Sequence, residues 1–100
     1  MARFDVHRLR DGSGLVVNCQ ADLLWYLDTC FVVPLFASED APKPSVKRLN
    51  PGFVVEEQAM VMMTQFAGTI SRAALGAVVV SLADHQFEIG GAIDVLLTGV

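Results

Sequence analysis

The last seventeen residues, Asp84 to Val100, are the one stretch of this sequence with sustained helical periodicity, and they constrain everything before them. Ile89, Ile93, Leu96, Leu97 and Val100 recur at helical spacing and form one apolar stripe, while Gly90, Gly91, Asp94 and Thr98 fall on other faces. Asp84 is the expected N-cap, its short carboxylate accepting from backbone N–H groups of the first turn. Glu88 suits the positive end of the helix dipole. Two adjacent glycines cost about 1 kcal/mol each relative to alanine, so the pattern predicts another backbone packed closely on Gly90 and Gly91. No Gly–Pro stop follows, and the helix runs out into Thr98-Gly99-Val100 with a free apolar tip. By periodicity alone, this helix caps a sheet.

The sheet is written in the preceding residues. Arg3 to Leu9 alternates apolar Phe4, Val6 and Leu9 with polar neighbours, as a half-buried strand does. Arg10-Asp11-Gly12-Ser13 supplies the Asp-Gly of a tight hairpin. Gly14 to Ala21 returns, with Leu15, Val17 and Cys19 on one face and Val16, Asn18 and Gln20 on the other. Asp22 to Thr29 is a loop or a helical turn, and its Leu23, Leu24, Trp25, Tyr26 and Leu27 form either a lid over the core or an interaction surface. Cys30 to Phe36 is nearly all apolar and reads as a central strand, although Pro34 cannot donate to a ladder and needs a bulge or an edge. Ala37 to Arg48 has the composition of a loop and is expected to be the most mobile segment. Phe53 to Glu56, Ala59 to Phe66, Gly68 to Arg72 and Ala77 to Leu82 complete the strands, with a turn near Glu57-Gln58 and a bend at Gly76. Met60, Met62 and Met63 are core filler. Six or seven short antiparallel strands followed by one helix predict a mainly β, barrel-like single domain spanning residues 1–100.

Chemical signals are few. His7 and His85 have no Cys/His neighbours at zinc spacing, so neither a metal nor another cofactor is expected, and His85 with Glu88 reads as a surface pair. No phosphate loop, nucleophile elbow or His-Glu-x-x-His pattern is present. Ser71-Arg72 reads as a solvated strand end, and Lys43, Lys47 and Arg48 are too few for a nucleic-acid groove. Cys19 and Cys30 read as reduced, buried thiols of a cytoplasmic protein. No apolar run approaches the ~18–20 residues of a membrane span, and Met1-Ala2-Arg3-Phe4-Asp5 lacks a signal-peptide core. A net charge of −4 disfavours direct nucleic-acid binding and suits a protein partner that brings arginines. With 53% apolar residues and 18% charged ones on so small a chain, part of the surface is expected to be covered by a second copy of the chain. The residues alone predict a small, dimeric, non-enzymatic β domain.

Phe4-x-Val6, the run Val17-Asn18-Cys19-Gln20-Ala21-Asp22-Leu23-Leu24 and Val32-Val33-Pro34-Leu35 together resemble the CcdB family of toxins. The resemblance continues through Asn50-Pro51, Met62-Met63-Thr64, Gly76, Ser81-Leu82, the helix and Gly99-Val100, and omits only the loop between Ala37 and Lys47. It implies an SH3-like barrel with a C-terminal helix, acting as a homodimer. The implied function is that of a type II toxin that inhibits DNA gyrase by binding the gyrase subunit that cuts and rejoins DNA, trapping the cleavage complex. The implied inhibitor is a cognate CcdA-like antitoxin with a C-terminal segment disordered until bound. Carried over by position, the gyrase contacts are Leu23 and Leu24 from the loop, with Asp94, Leu97, Thr98, Gly99 and Val100 from the helix tip. The sequence departs from the family's best-known ending, Trp-Gly-Ile, by placing Thr98 at the tryptophan, and Asp94 replaces a neutral amide. That departure keeps two alternatives open: an endoribonuclease toxin of the same barrel, and a non-toxic member that only binds an antitoxin.

Leu96 and Val100, four residues apart on the apolar tip, are the expected dimer seam. Leu96→Asp sets two carboxylates into a symmetric seam and is expected to yield monomers in light scattering. A variant that stays dimeric puts the seam elsewhere.

Overall fold

The computed structural model describes residues 2–42 and 46–99. β1 (Asp5–Leu9) and β2 (Leu15–Asn18) form the predicted hairpin. Gly12 at φ 76° supplies its left-handed residue, and the Asp11 carboxylate accepts from the Ser13 N–H at 2.8 Å. β3 (Thr29–Ala37) is the predicted central strand. One of its edges pairs with β2, from Val32 to Leu35. The other edge is divided between two strands. β6 (Gly68–Ser71) takes Thr29 to Val32, and β5 (Gln58–Met62) takes Leu35 to Ala37. Pro34 falls at the division, where its carbonyl accepts from Met63 N–H at 3.0 Å and no ladder partner awaits the N–H it lacks.

β4 (Gly52–Val55) pairs with β5, and β7 (Leu75–Ser81) pairs with β1. The seven strands run β4-β5-β3-β2-β1-β7 with β6 beside β3, every pairing antiparallel. This is the predicted mainly β architecture, a half-barrel closed by α1 (Gln86–Thr98). The core lies between sheet and helix, where Val6, Val17, Val33, Met62, Ile89 and Ala92 are sealed from solvent. Val16, Cys30, Val32 and Leu75 form a second buried cluster on the other face, so β2 is buried on both sides. Full burial of one such aliphatic side chain contributes about 1.5–3 kcal/mol. Among the described residues, no helix is long and apolar enough to cross a membrane.

Several expectations need correction. A 3₁₀ turn, Ala83–His85, precedes α1, so His85 rather than Asp84 stands at the helix boundary, and no side chain caps it. Gly90 and Gly91 have no backbone packed closely on them among the described residues, where a Cβ at either meets nothing within 4 Å. Gly99 does stop the helix: it adopts φ 80° and its N–H returns to the Val95 carbonyl at 2.9 Å. The stripe is only partly used, with Ile89 buried and Leu97 72% exposed. The bend assigned to Gly76 is instead the turn Arg72–Ala74; Gly76 lies in β7, where a Cβ would collide with the Arg8 carbonyl. The stretch Ala59 to Phe66 ends as a strand at Met62 and becomes a 3₁₀ turn at Thr64–Phe66. Mobility expected of the Ala37–Arg48 loop falls partly on residues 43–45, outside the described residues; before them the chain makes a 3₁₀ turn at Ser38–Asp40.

The β4–β5 turn carries strain. Val55 pairs with Gln58, leaving Glu56 (φ 52°) and Glu57 (φ 65°) as a two-residue connection with both residues left-handed. Asn and Gly normally fill such positions. Glu56 gains an exposed ion pair with Arg8 at 2.8 Å, which offsets little of the cost. Glu57→Gly keeps that pair and is expected to stabilise the protein by about 1 kcal/mol, raising Tm by roughly 4–8 °C. Gly76→Ala is expected to lower it by as much or more, since the Arg8 backbone must move. Thermal unfolding followed by circular dichroism checks both; an unchanged Glu57→Gly midpoint means the turn relaxes without strain.

Candidate functional site

The connection from β2 to β3 begins as a 3₁₀ turn, Asp22–Leu24, continued by Leu27 N–H to Leu24 carbonyl at 3.2 Å. It is no lid. Leu23 is 81% exposed, Trp25 72% and Tyr26 64%, and the two aromatic rings meet edge-on at 6.3 Å between centroids. What holds these apolar side chains out is a set of hydrogen bonds to the backbone behind them. Arg72 Nε donates to the Leu27 carbonyl at 2.8 Å and Nη2 reaches the Leu24 carbonyl at 3.4 Å. The Arg72 N–H donates to the Asp28 carbonyl at 2.8 Å. Gln20 Nε2 donates to the Leu24 and Thr29 carbonyls, while its Oε1 accepts from Phe31 N–H at 3.0 Å. Asp22 Oδ1 accepts from Arg3 N–H at 2.7 Å.

Arg72 is therefore not the solvated strand end its sequence context suggested. The β3–β6 register, with Thr29 opposite Ser71, delivers the next residue to the loop. The signal available in sequence was the Gln-x-Asp spacing, since Gln20 and Asp22 both fasten the same loop. The contribution of Arg72, forty-eight residues from Leu24, depends on the register.

The second group stands on α1. Asp94, Leu97, Thr98 and Gly99 are exposed on its last turn, and Leu96 is 39% exposed. Thr98 Oγ1 donates back to the Asp94 carbonyl at 2.7 Å, so the hydroxyl that replaces an indole is turned onto its own helix. Val100 lies outside the described residues. The two groups are anchored separately: Leu23 and Leu24 by Arg72, Gln20 and Arg3, the helix by the main core and the Thr64–Phe66 turn.

The remaining chemistry is sparse. His85 and Glu88 form the expected exposed pair at 2.9 Å, with the imidazole against Phe53 at 4.9 Å. Near Glu88, Lys47, Arg48, Pro51, Phe87 and Gly91 line a hollow of about 330 Å³. His7 is buried, its Nδ1 3.0 Å from the Gly76 carbonyl and its Nε2 without a partner among the described residues. Both cysteines are free and buried. Burial pushes the Cys19 thiol up to about 12 and raises that of Cys30, whose S–H donates to Asn18 Oδ1, so both are poor nucleophiles at neutral pH. Among the described residues, no cluster of His, Cys, Asp and Glu could hold a metal ion.

Arg72→Ala removes the guanidinium donors behind the loop. Chymotrypsin is expected to cut after Trp25 or Tyr26 many times faster in this variant, with a loss of about 1–3 kcal/mol in stability. An unchanged cleavage rate assigns the loop's order to Gln20, Asp22 and the backbone bond to Asp28.

Comparison with known proteins locates this arrangement. Of the solved structures, the chain is similar to the Mycobacterium tuberculosis toxin MazF-mt6, at 17% identity and TM-score 0.73, covering 90% of this chain and 92% of that one. It is also similar to an endoribonuclease from mycobacterial species in complex with its cognate antitoxin, at 14% identity and TM-score 0.74, covering 97% and 94%. A further endoribonuclease from mycobacterial species gives 14% identity and TM-score 0.75, covering 97% and 90%. At such identities these likenesses establish the fold. Comparison with the curated proteins gives no match. The sequence does match one family model, described as CcdB protein, across residues 3–99, which takes in every strand, the pinned loop and the whole of α1. The chain belongs to the CcdB family.

Proposed function

We propose that this protein is the toxin of a type II toxin–antitoxin pair and that it acts on DNA gyrase, binding the DNA-cleaving subunit and trapping the cleaved complex. The observation that supports this most is the family match over residues 3–99, which includes both the loop bearing Leu23 and Leu24 and the tip bearing Asp94, Leu97, Thr98 and Gly99. The mechanism is occlusive rather than catalytic. Two apolar patches with satisfied backbones wedge into a protein target, and their exposed aliphatics are the contact. A homodimer presents each patch twice. The antitoxin competes by covering apolar surface, and the −4 charge favours a disordered C-terminal segment carrying basic and apolar residues.

A second reading has one observation in its favour. The barrel is similar to those of two solved endoribonucleases, and Glu88, paired with His85, lines the same hollow as Lys47 and Arg48. An imidazole–carboxylate pair can supply the acid and base for cutting a phosphodiester. Against it stand the net charge of −4 and the solvent exposure of both side chains of that pair.

Purified protein is expected to inhibit supercoiling and to accumulate cleaved DNA with gyrase, while leaving RNA intact. Thr98→Trp restores an aromatic group at the tip and is expected to strengthen binding to the gyrase breakage–reunion fragment, as read by calorimetry. RNA cleavage abolished by His85→Ala, without an effect on gyrase, establishes the endoribonuclease instead.

A further inference from the structure

The protein's single tryptophan is among its most exposed large side chains, and the loop that carries it is pinned at every turn. Exposing an indole to water is costly, and the five apolar or aromatic residues between Asp22 and Asp28 have no use in this chain's core, since none of them is buried. The backbone behind them is tied at the Leu24, Leu27 and Thr29 carbonyls by Arg72 and Gln20. Tyr26 meets the indole edge-on at an interplanar angle of 85°, leaving the two rings on different planes at the loop's crest. A rigid, pre-ordered aromatic pair loses little entropy on binding, the property that makes Trp and Tyr dominate interfaces.

The loop's charges indicate what it meets. Asp28 stands exposed after the aromatic pair, and Asp22 before it is exposed with one carboxylate oxygen taken by Arg3 N–H. The nearby guanidinium of Arg72 is turned inward onto the carbonyls of Leu24 and Leu27, and that of Arg3 lies over the Phe4 ring at 4.5 Å with Nε on the Cys19 carbonyl. Outward, the crest offers π faces and negative charge. That combination fits arginine or lysine side chains, which gain cation–π contact and a carboxylate together. It suits an anionic membrane poorly, although exposed Trp and Tyr would otherwise allow one.

We propose that Trp25, backed by Tyr26 and flanked by Asp22 and Asp28, is the anchor by which this protein grips a cationic patch on its protein target. The assignment rests on the toxin reading above but goes beyond it. It moves the aromatic anchor from the helix tip, where Thr98 stands, to the loop, and it names the chemistry of the opposing surface.

One label tests it, because 5-fluorotryptophan gives a single fluorine resonance from position 25. That resonance is expected to shift with the gyrase breakage–reunion fragment and with a short peptide alternating arginine and leucine, but not with a matched glutamate–leucine peptide. Trp25→Ala is expected to weaken binding to the gyrase fragment about thirtyfold or more, Asp28→Asn to weaken it less and flatten its salt dependence, and Val54→Ser, at an equally exposed residue on β4, to leave it unchanged. A fragment that binds wild type and Trp25→Ala equally overturns the anchor. A fragment that binds neither removes the gyrase reading, and the peptides then decide: no shift, or equal shifts with both, overturns the proposal. A response to anionic vesicles without a response to the arginine peptide replaces it with a membrane contact.

Discussion

Everything in this molecule hangs on how β3 satisfies its backbone. Among the described strands it is the only one with three partners, and its outer edge must change from β6 to β5 partway along. An unpaired amide at that change, shielded from water, would cost free energy comparable to a lost hydrogen bond. Pro34 removes the amide, and its carbonyl is met by Met63. The chain then needs an excursion between Met62 and Gly68 to move from one strand position to the other. It makes that excursion as the Thr64–Phe66 turn, with Thr64 and Asn50 tying it to neighbouring carbonyls. The helix packs on the same turn, so a feature that looks like a defect in the central strand fixes both the sheet's curvature and the seat of α1.

The same ladder sets the loop. Because Thr29 lies opposite Ser71, the residue that follows β6 is carried to the carbonyls of Leu24 and Leu27. A guanidinium in that position replaces water as donor to a short turn that has no strand beside it. Gln20 does the same from β2's side with both ends of its amide. The loop's apolar side chains face outward because its polar backbone faces inward, and the order costs the core nothing.

Strand alternation, the Asp-Gly hairpin and the run from Cys30 to Phe36 were legible in the sequence because each depends on period or on turn chemistry alone. The helix boundary is not local in this sense: Asp84 has the chemistry of a cap, but the chain enters α1 through a 3₁₀ turn that places His85 there instead. Glycine breaks strands and so suggests a bend at Gly76, whereas its role is steric, the Arg8 carbonyl occupying the space of a Cβ. A type I′ turn made from Glu56 and Glu57 leaves no trace in composition. Arg72 was misjudged because its partners are set by a register that no local pattern encodes. Of the candidate surface, the apolar content of the loop and tip was readable; which side chains stand out to solvent was not.

The helix end and the loop can be weighed against each other. Gly99 closes α1 in the left-handed conformation and fixes the shape of the tip. Thr98 spends its hydroxyl on Asp94's carbonyl, and Asp94 adds an exposed charge to the same turn. Leu97 is left as the main exposed apolar group there among the described residues. The loop meanwhile carries Leu23, Trp25 and Tyr26 on a backbone with its hydrogen bonds made. Interface energy concentrates where aromatic groups are both exposed and held still. With Trp25 as the proposed anchor, that criterion puts the weight of the binding surface at the loop, with Leu97 and Asp94 of the tip as the second patch.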